Sequence, residues 1–122
     1  MEKIRSHKDL EVWKKSVELV TNVYEISREF PKEEMYCMTN QIRRAAISIP
    51  SNIAEGAGRF HNKEFIQFLY ISLGSCSELE TQLIICSNLN FIDSSRLNSL
   101  TSKIFIIRRL LLGLIKSLKN QQ

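Results

Sequence analysis

Apolar residues at Met35, Met38, Ile42, Ala45, Ala46, Ile49 and Ile53 recur at the three-and-four spacing of one helix face, and the rhythm keeps its phase across Pro50. Proline in a helix interior removes one ladder donor and crowds the carbonyl four residues back, at a cost of about 3 kcal/mol. A chain that carries its apolar face straight through such a residue needs packing on that face to offset the loss. The spacing therefore predicts a helix over residues 32–55, kinked at Pro50 and embedded among other helices. Gly56 and Gly58 mark its predicted stop, and residues 56–61 its exit loop.

Three further segments carry the same period. Residues 9–29 hold two adjacent stripes, Leu10, Trp13, Val17, Val20 and Tyr24 beside Val12, Leu19, Val23 and Ile26, with Glu11, Lys14, Lys15, Glu18, Asn22, Glu25 and Glu29 on the opposite, solvated side. Phe30-Pro31 closes that helix, because a residue before proline is pushed out of helical geometry. From a predicted cap at Asn62, with Glu64 in the first turn, a third helix runs to residue 88 along Phe65, Leu69, Ser72, Cys76, Leu79, Leu83 and Cys86. Its small residues permit close helix contact. After a turn over 90–95, capped by Asp93, Ser94 or Ser95, a fourth helix follows Leu97, Leu100, Ile104, Ile107, Leu111, Leu114 and Leu118.

Only four glycines and two prolines occur in 122 residues, too few to punctuate a sandwich or barrel, and an apolar fraction of 43% is enough for one core. Short connections between long helices favour antiparallel neighbours. The expectation is an all-α, antiparallel up-down-up-down four-helix bundle forming a single domain over 1–122.

Helix four spreads apolar surface beyond its stripe, at Phe105, Ile106, Leu110, Leu112 and Ile115. A helix that is apolar over most of its circumference in a chain this small points to an interface between copies. On a helical wheel Glu80 and Arg108 fall inside the apolar arcs of helices three and four. Unpaired burial of charge is costly, so each is expected to meet an opposite charge, one another among the candidates, within a protomer or across an oligomer, the alternative being that both side chains reach out to the bundle edge.

Four linked motifs in order resemble the four-helix-bundle proteins encoded in intervening sequences of bacterial 23S ribosomal RNA genes. They are Leu10-Glu-Val-Trp13; Gln41-Ile-Arg-Arg-Ala45; Ser48-Ile-Pro-Ser-Asn-Ile-Ala-Glu-Gly56 with Arg59; and Phe65, Phe68-Leu69 and Gly74-Ser75 with Glu78-Leu79. The likeness covers nearly the whole chain. It implies a homopentamer and an association with ribosomal RNA that carries an intervening sequence. Similar bundles serve as accessory subunits of reverse transcriptases in diversity-generating retroelements, and nothing in this chain selects that role.

The composition offers little to catalysis. His7 and His61 are the only histidines and share no helix face with a carboxylate partner. Gly56-Ala-Gly58 lacks the further glycine and the lysine-serine/threonine of a phosphate-cradling loop, and Glu55 has no partner to tune it as a base. Cys37, Cys76 and Cys86 show no metal-ligand spacing, and reduced, partly buried thiols fit a cytoplasmic protein. No enzyme activity, cofactor or metal is expected. The polar start lacks a secretory apolar run, and no stretch approaches the roughly 20 apolar residues of a membrane span.

A formal charge of +4 and a pI near 9.1 suit a polyanionic partner. Basic residues are spread over Lys3, Arg5, His7, Lys8, Lys14, Lys15, Arg43, Arg44, Arg59, Lys63, Lys103, Arg109, Lys116 and Lys119. Of these, Arg43, Arg44, Arg59, Lys63, Arg109 and Lys116 are the candidate phosphate contacts, Arg44 opposite the core stripe, Arg43 on its flank, and Arg109 with Lys116 on the outer side of helix four. Five copies would raise the particle charge to about +20, a field strong enough for sequence-tolerant binding. With neither a helix-turn-helix nor an aromatic platform in view, backbone or shape recognition of RNA is expected. The alternative is an oligomeric protein-protein scaffold that binds no nucleic acid. Attachment to a membrane surface fits less well, because the basic residues do not lie opposite one apolar stripe.

Overall fold

The computed structural model describes residues 6–121. Lys3 and Arg5, two of the basic residues noted above, lie outside them. Four long helices account for most of the described chain: α1 over Glu11–Ser27, α2 over Met38–Ala57, α3 over Asn62–Asn88 and α4 over Ser94–Lys119. Short 3-10 turns at His7–Asp9 and Lys32–Glu34 precede α1 and α2.

Side-chain pairs fix the order of packing. Between α2 and α3, Gln41 meets Gln82, Ser48 meets Ser75 and Ile49 meets Ser72, so numbers rise on one helix as they fall on the other. The same opposition runs from α4 to α3, through Arg108 to Ser77 and Lys119 to Tyr70. It runs again from α4 to α1, through Lys103 to Asn22 and Arg96 to Glu29. Each helix is therefore antiparallel to its chain neighbour, as the short connections demand.

The α3 stripe is buried in full, and Ile66, Ser75 and Gln82 widen it. On α4 the buried residues are Leu100, Ile104, Ile107, Leu111, Ile115 and Leu118, while Leu97 and Leu114 are half-buried. The core face of α1 is Val12, Ser16, Leu19, Val23 and Ser27; of the other stripe, Leu10, Trp13, Val20 and Tyr24 are half-buried and Val17 is exposed. The two serines tolerate burial because each hydroxyl donates to a carbonyl one turn back, Ser16 to Trp13 at 2.8 Å and Ser27 to Tyr24 at 3.2 Å. Burial pushes the Cys76 thiol up to about 12 and the Cys86 thiol up to about 11, whereas Cys37 is exposed.

Two boundaries depart from the periodic reading. The second helix begins at Met38, not at residue 32, because the backbone breaks at Cys37 (φ −118°, ψ −107°). The Glu34 carboxylate then accepts a hydrogen bond from the Met38 amide at 3.3 Å, an acidic partner for a helix start. Met35, counted in the stripe by spacing, is consequently exposed. At the other end α2 runs without interruption through Pro50 and past Gly56 to Ala57.

Gly56 is not a helix stop. A Cβ there would lie 2.8 Å from Phe68 Cβ and 2.9 Å from Phe65 Cδ1, so its hydrogen side chain lets the last turn of α2 rest on the first turns of α3. Upstream, Ser72 Oγ donates to the Ile49 carbonyl at 2.9 Å, immediately before Pro50, and the Ser48 and Ser75 hydroxyls pair at 2.8 Å. Asn52 Nδ2 donates to the Ser48 carbonyl at 2.8 Å and to Ser48 Oγ at 2.9 Å. A satisfied polar seam thus fills the narrow space between the two helices.

At the far end of α3, Asn90 adopts a left-handed conformation (φ 64°). The Phe91 amide donates to the Cys86 carbonyl at 2.9 Å and the Asn90 amide to the Ser87 carbonyl at 3.0 Å, which together close the helix as a Schellman motif. Asp93 caps α4 by accepting from the Arg96 amide at 2.8 Å.

Gly56→Ala should destabilise the bundle by about 1–2 kcal/mol in urea unfolding, since overpacking against two aromatic residues outweighs alanine's better helix propensity. Gly58→Ala, whose added Cβ would have its nearest neighbours at 3.6 Å and 3.7 Å, should be neutral or mildly stabilising in the same assay.

Candidate nucleic-acid interface

Antiparallel packing gathers the start of α1, the end of α2, the start of α3 and the end of α4 at one end of the bundle. The half built from residues 6–19, 48–75 and 107–121 carries nine lysines and arginines against five acidic residues; the other half carries six against seven. The net positive charge of the described chain therefore falls in this half, and residues 107–121, with four basic residues and no acidic one, supply the excess.

The α2–α3 turn at this end carries two cations, Arg59 and Lys63, beside Glu55 and Glu64. Arg59 reaches back to Glu55 at 3.4 Å and lies over the Phe68 ring at 5.0 Å. Both partners of this ion pair are exposed, and such pairs contribute little net stability, so the guanidinium is readily shared with a phosphate. Lys63 is exposed and lines a shallow depression with Phe60, His61, Asn62 and Glu64. Asn62 Nδ2 donates to Gln121 Oε1 at 3.3 Å, which ties the end of α4 to the same corner. Lys119 donates to the Tyr70 hydroxyl at 2.9 Å, and Lys116 is exposed.

The six candidate phosphate contacts do not form one patch. Arg59, Lys63 and Lys116 share the basic end. Arg109 stands exposed midway along α4, its guanidinium 5.9 Å from the Phe105 ring. Arg44 is exposed in the opposite half, in a groove with Tyr36, Asn40, Gln41 and Glu78. Arg43 is removed from the set: its Nε donates to the buried Ser27 hydroxyl at 2.8 Å and its guanidinium lies 4.5 Å from the Tyr24 ring, so it joins α1 to α2. Helical spacing alone cannot separate the two adjacent arginines, because only the neighbouring α1 distinguishes them.

The outer face of α4 is also redrawn. Phe105, Ile106 and Leu112 are exposed at 59%, 46% and 52%, and Leu110 is half-buried against the core. Ile115, expected on the interface, is 3% exposed and belongs to the protomer's own core. The wheel misplaced it by about one stripe. α3 contributes further open apolar surface at Ile71, Ile84 and Ile85.

Within the chain the expected Glu80–Arg108 pair does not form. None of the ion pairs among the described residues includes either side chain, and Arg108 donates instead to the Ser77 hydroxyl at 2.7 Å. Both residues keep partial access to solvent, so a hydroxyl and water suffice where full burial would demand a counter-charge. One side chain escaped the sequence reading altogether: Phe60 is 98% exposed at the tip of the basic turn, its ring 6.1 Å from that of His61. An apolar residue between two cations, outside every stripe, was the available signal.

Among the described residues there is no group of acidic, histidine and cysteine side chains that could hold a metal ion, and no helix is long and apolar enough to cross a membrane. Arg43→Met should lower stability by about 2 kcal/mol, through loss of the charged hydrogen bond and the ring contact, with little effect on nucleic-acid affinity. Thermal unfolding beside a binding titration checks both halves of that statement.

No curated protein matches the chain. Among solved structures, a protein of unknown function from the S23 ribosomal protein family of Bacteroides thetaiotaomicron superposes with a TM-score of 0.77 at 27% identity, over 86% of this chain and 98% of that one. The family described as 23S rRNA-intervening sequence protein matches residues 8–113, which span the bundle from before α1 into the last turns of α4. The chain belongs to the 23S rRNA-intervening sequence protein family.

Proposed function

We propose that this protein is a non-catalytic, oligomeric RNA-binding accessory of the cytoplasm, associated with ribosomal RNA that carries an intervening sequence. The observation that carries this reading is that the excess positive charge falls in one half of the bundle, the half that holds the α2–α3 turn and the end of α4. Phosphates placed there meet Arg59, Lys63, Lys116 and Lys119 from the α2–α3 turn and the end of α4, which the Asn62–Gln121 hydrogen bond holds together, so their attractions add. Helix-end and side-chain contacts of this kind orient a backbone without reading bases.

Self-association follows from the apolar residues left open. Phe105, Ile106 and Leu112 on α4, with Ile71, Ile84 and Ile85 on α3, give copies of the chain a surface to share. The pentamer implied by the family resemblance repeats the basic end five times and strengthens the field accordingly.

Fluorescence anisotropy with a structured RNA over a salt series tests the proposal. Affinity is expected to fall steeply with salt, and Lys63→Glu with Lys116→Glu to weaken binding at least tenfold and flatten the slope by about two contacts. Arg44→Glu, in the other half, should matter far less. Absence of binding at low salt would favour the protein-protein scaffold instead.

A further inference from the structure

We infer that Phe60 is a stacking platform for an unpaired nucleobase, so that the RNA bound at this end is one with single-stranded positions beside its paired ones. The inference rests on the RNA-binding reading above and adds to it the class of RNA.

Phe60 is 98% exposed, the one aromatic residue of a turn in which Gly58, Arg59, His61 and Lys63 are exposed as well. Its neighbours explain why it is not inside. Gly56 brings α2 so close to Phe65 and Phe68 that these two rings fill the corner, and Arg59 covers the Phe68 ring. The Phe60 ring is left with one flank toward His61 and the rest toward solvent. Stacking on a base suits such a ring because every nucleobase presents a flat π-face to it.

Charge selects the occupant. Arg59 and Lys63 stand on either side of Phe60, and α4 brings Lys116 and Lys119 to the same end. A second copy presenting this same turn would be repelled, whereas a base delivered with its own phosphates is attracted. Glu64 lines the same depression and holds an acceptor for a base's amino group. Tyr36 is 91% exposed too, beside Arg44 and Glu78, but it stands in the half that lacks excess positive charge.

The experiment measures anisotropy for two RNAs of equal length, one fully paired and one with an unpaired loop carrying 2-aminopurine, against the full-length protein, Phe60→Ala, Phe60→Trp and Tyr36→Ala. Phe60 makes no core contact, so its variants should fold, with sedimentation velocity reporting their mass. Phe60→Ala is expected to weaken looped-RNA binding by roughly 5- to 100-fold and to relieve quenching of the 2-aminopurine, leaving paired RNA and the salt slope unchanged. Phe60→Trp and Tyr36→Ala should bind like the parent. Equal affinity of Phe60→Ala and the parent for looped RNA, with salt-dependent binding intact, overturns this inference alone. A change in oligomer mass in Phe60→Ala assigns the ring to a contact between copies and also overturns it. Failure of the parent to bind either RNA at low salt overturns the RNA-binding reading together with it.

Discussion

The close approach of α2 to α3 is the constraint from which the rest of the molecule follows. Gly56 lies beneath Phe65 and Phe68, Ser48 faces Ser75, and Ser72 donates to the backbone just before Pro50. Small or polar side chains along this seam let the two helices approach closely. Pro50 is thereby buried beside a tightly packed, hydrogen-bonded contact between the two helices. The seam also sets the turn that follows: with Phe65 and Phe68 pinned on Gly56, Arg59 folds over Phe68 and Phe60 has nowhere to go but outward.

The excess of positive charge arises on the second half of α4, and topology brings the cations of the α2–α3 turn beside its end. The basic residues of the α2–α3 turn and of the end of α4 are separated by more than fifty positions in the chain, yet the Asn62–Gln121 hydrogen bond shows them at one corner. Each surface cation alone contributes little. Collected at one end they create a directional field, and repetition of the subunit would amplify it without a new contact. This separates the protein's two surfaces: a polar, cationic end suited to phosphate, and apolar flanks on α3 and α4 suited to another copy.

Much of the bundle was legible from spacing, and the exceptions have physical causes. Every residue of the α3 stripe is buried, because a long helix packed on both sides imposes its period strongly. Two parallel stripes on α1 could not be ranked from the sequence, and Ser16 and Ser27 entered the core only because local carbonyls satisfy them. Cys37 gives no breaker signal; the break is accompanied by a hydrogen bond from the Met38 amide to the Glu34 carboxylate, which spacing does not reveal. The candidate interface was half legible: Arg59, Lys63 and Lys116 come together, whereas the role of Arg43 depends on Ser27 and Tyr24 of another helix. Phe60 was passed over because hydrophobic patterning searches for what is hidden, and a ring held outside has no period.

The account's central claim is that one end of the bundle is its working surface. The most direct measurement is hydrogen-deuterium exchange of the protein with and without bound RNA. The account predicts protection confined to the turn around residues 58–64 and the last turns of α4, with the opposite end around residues 28–37 unchanged. Protection centred on that opposite end, with residues 58–64 unaffected, would contradict it.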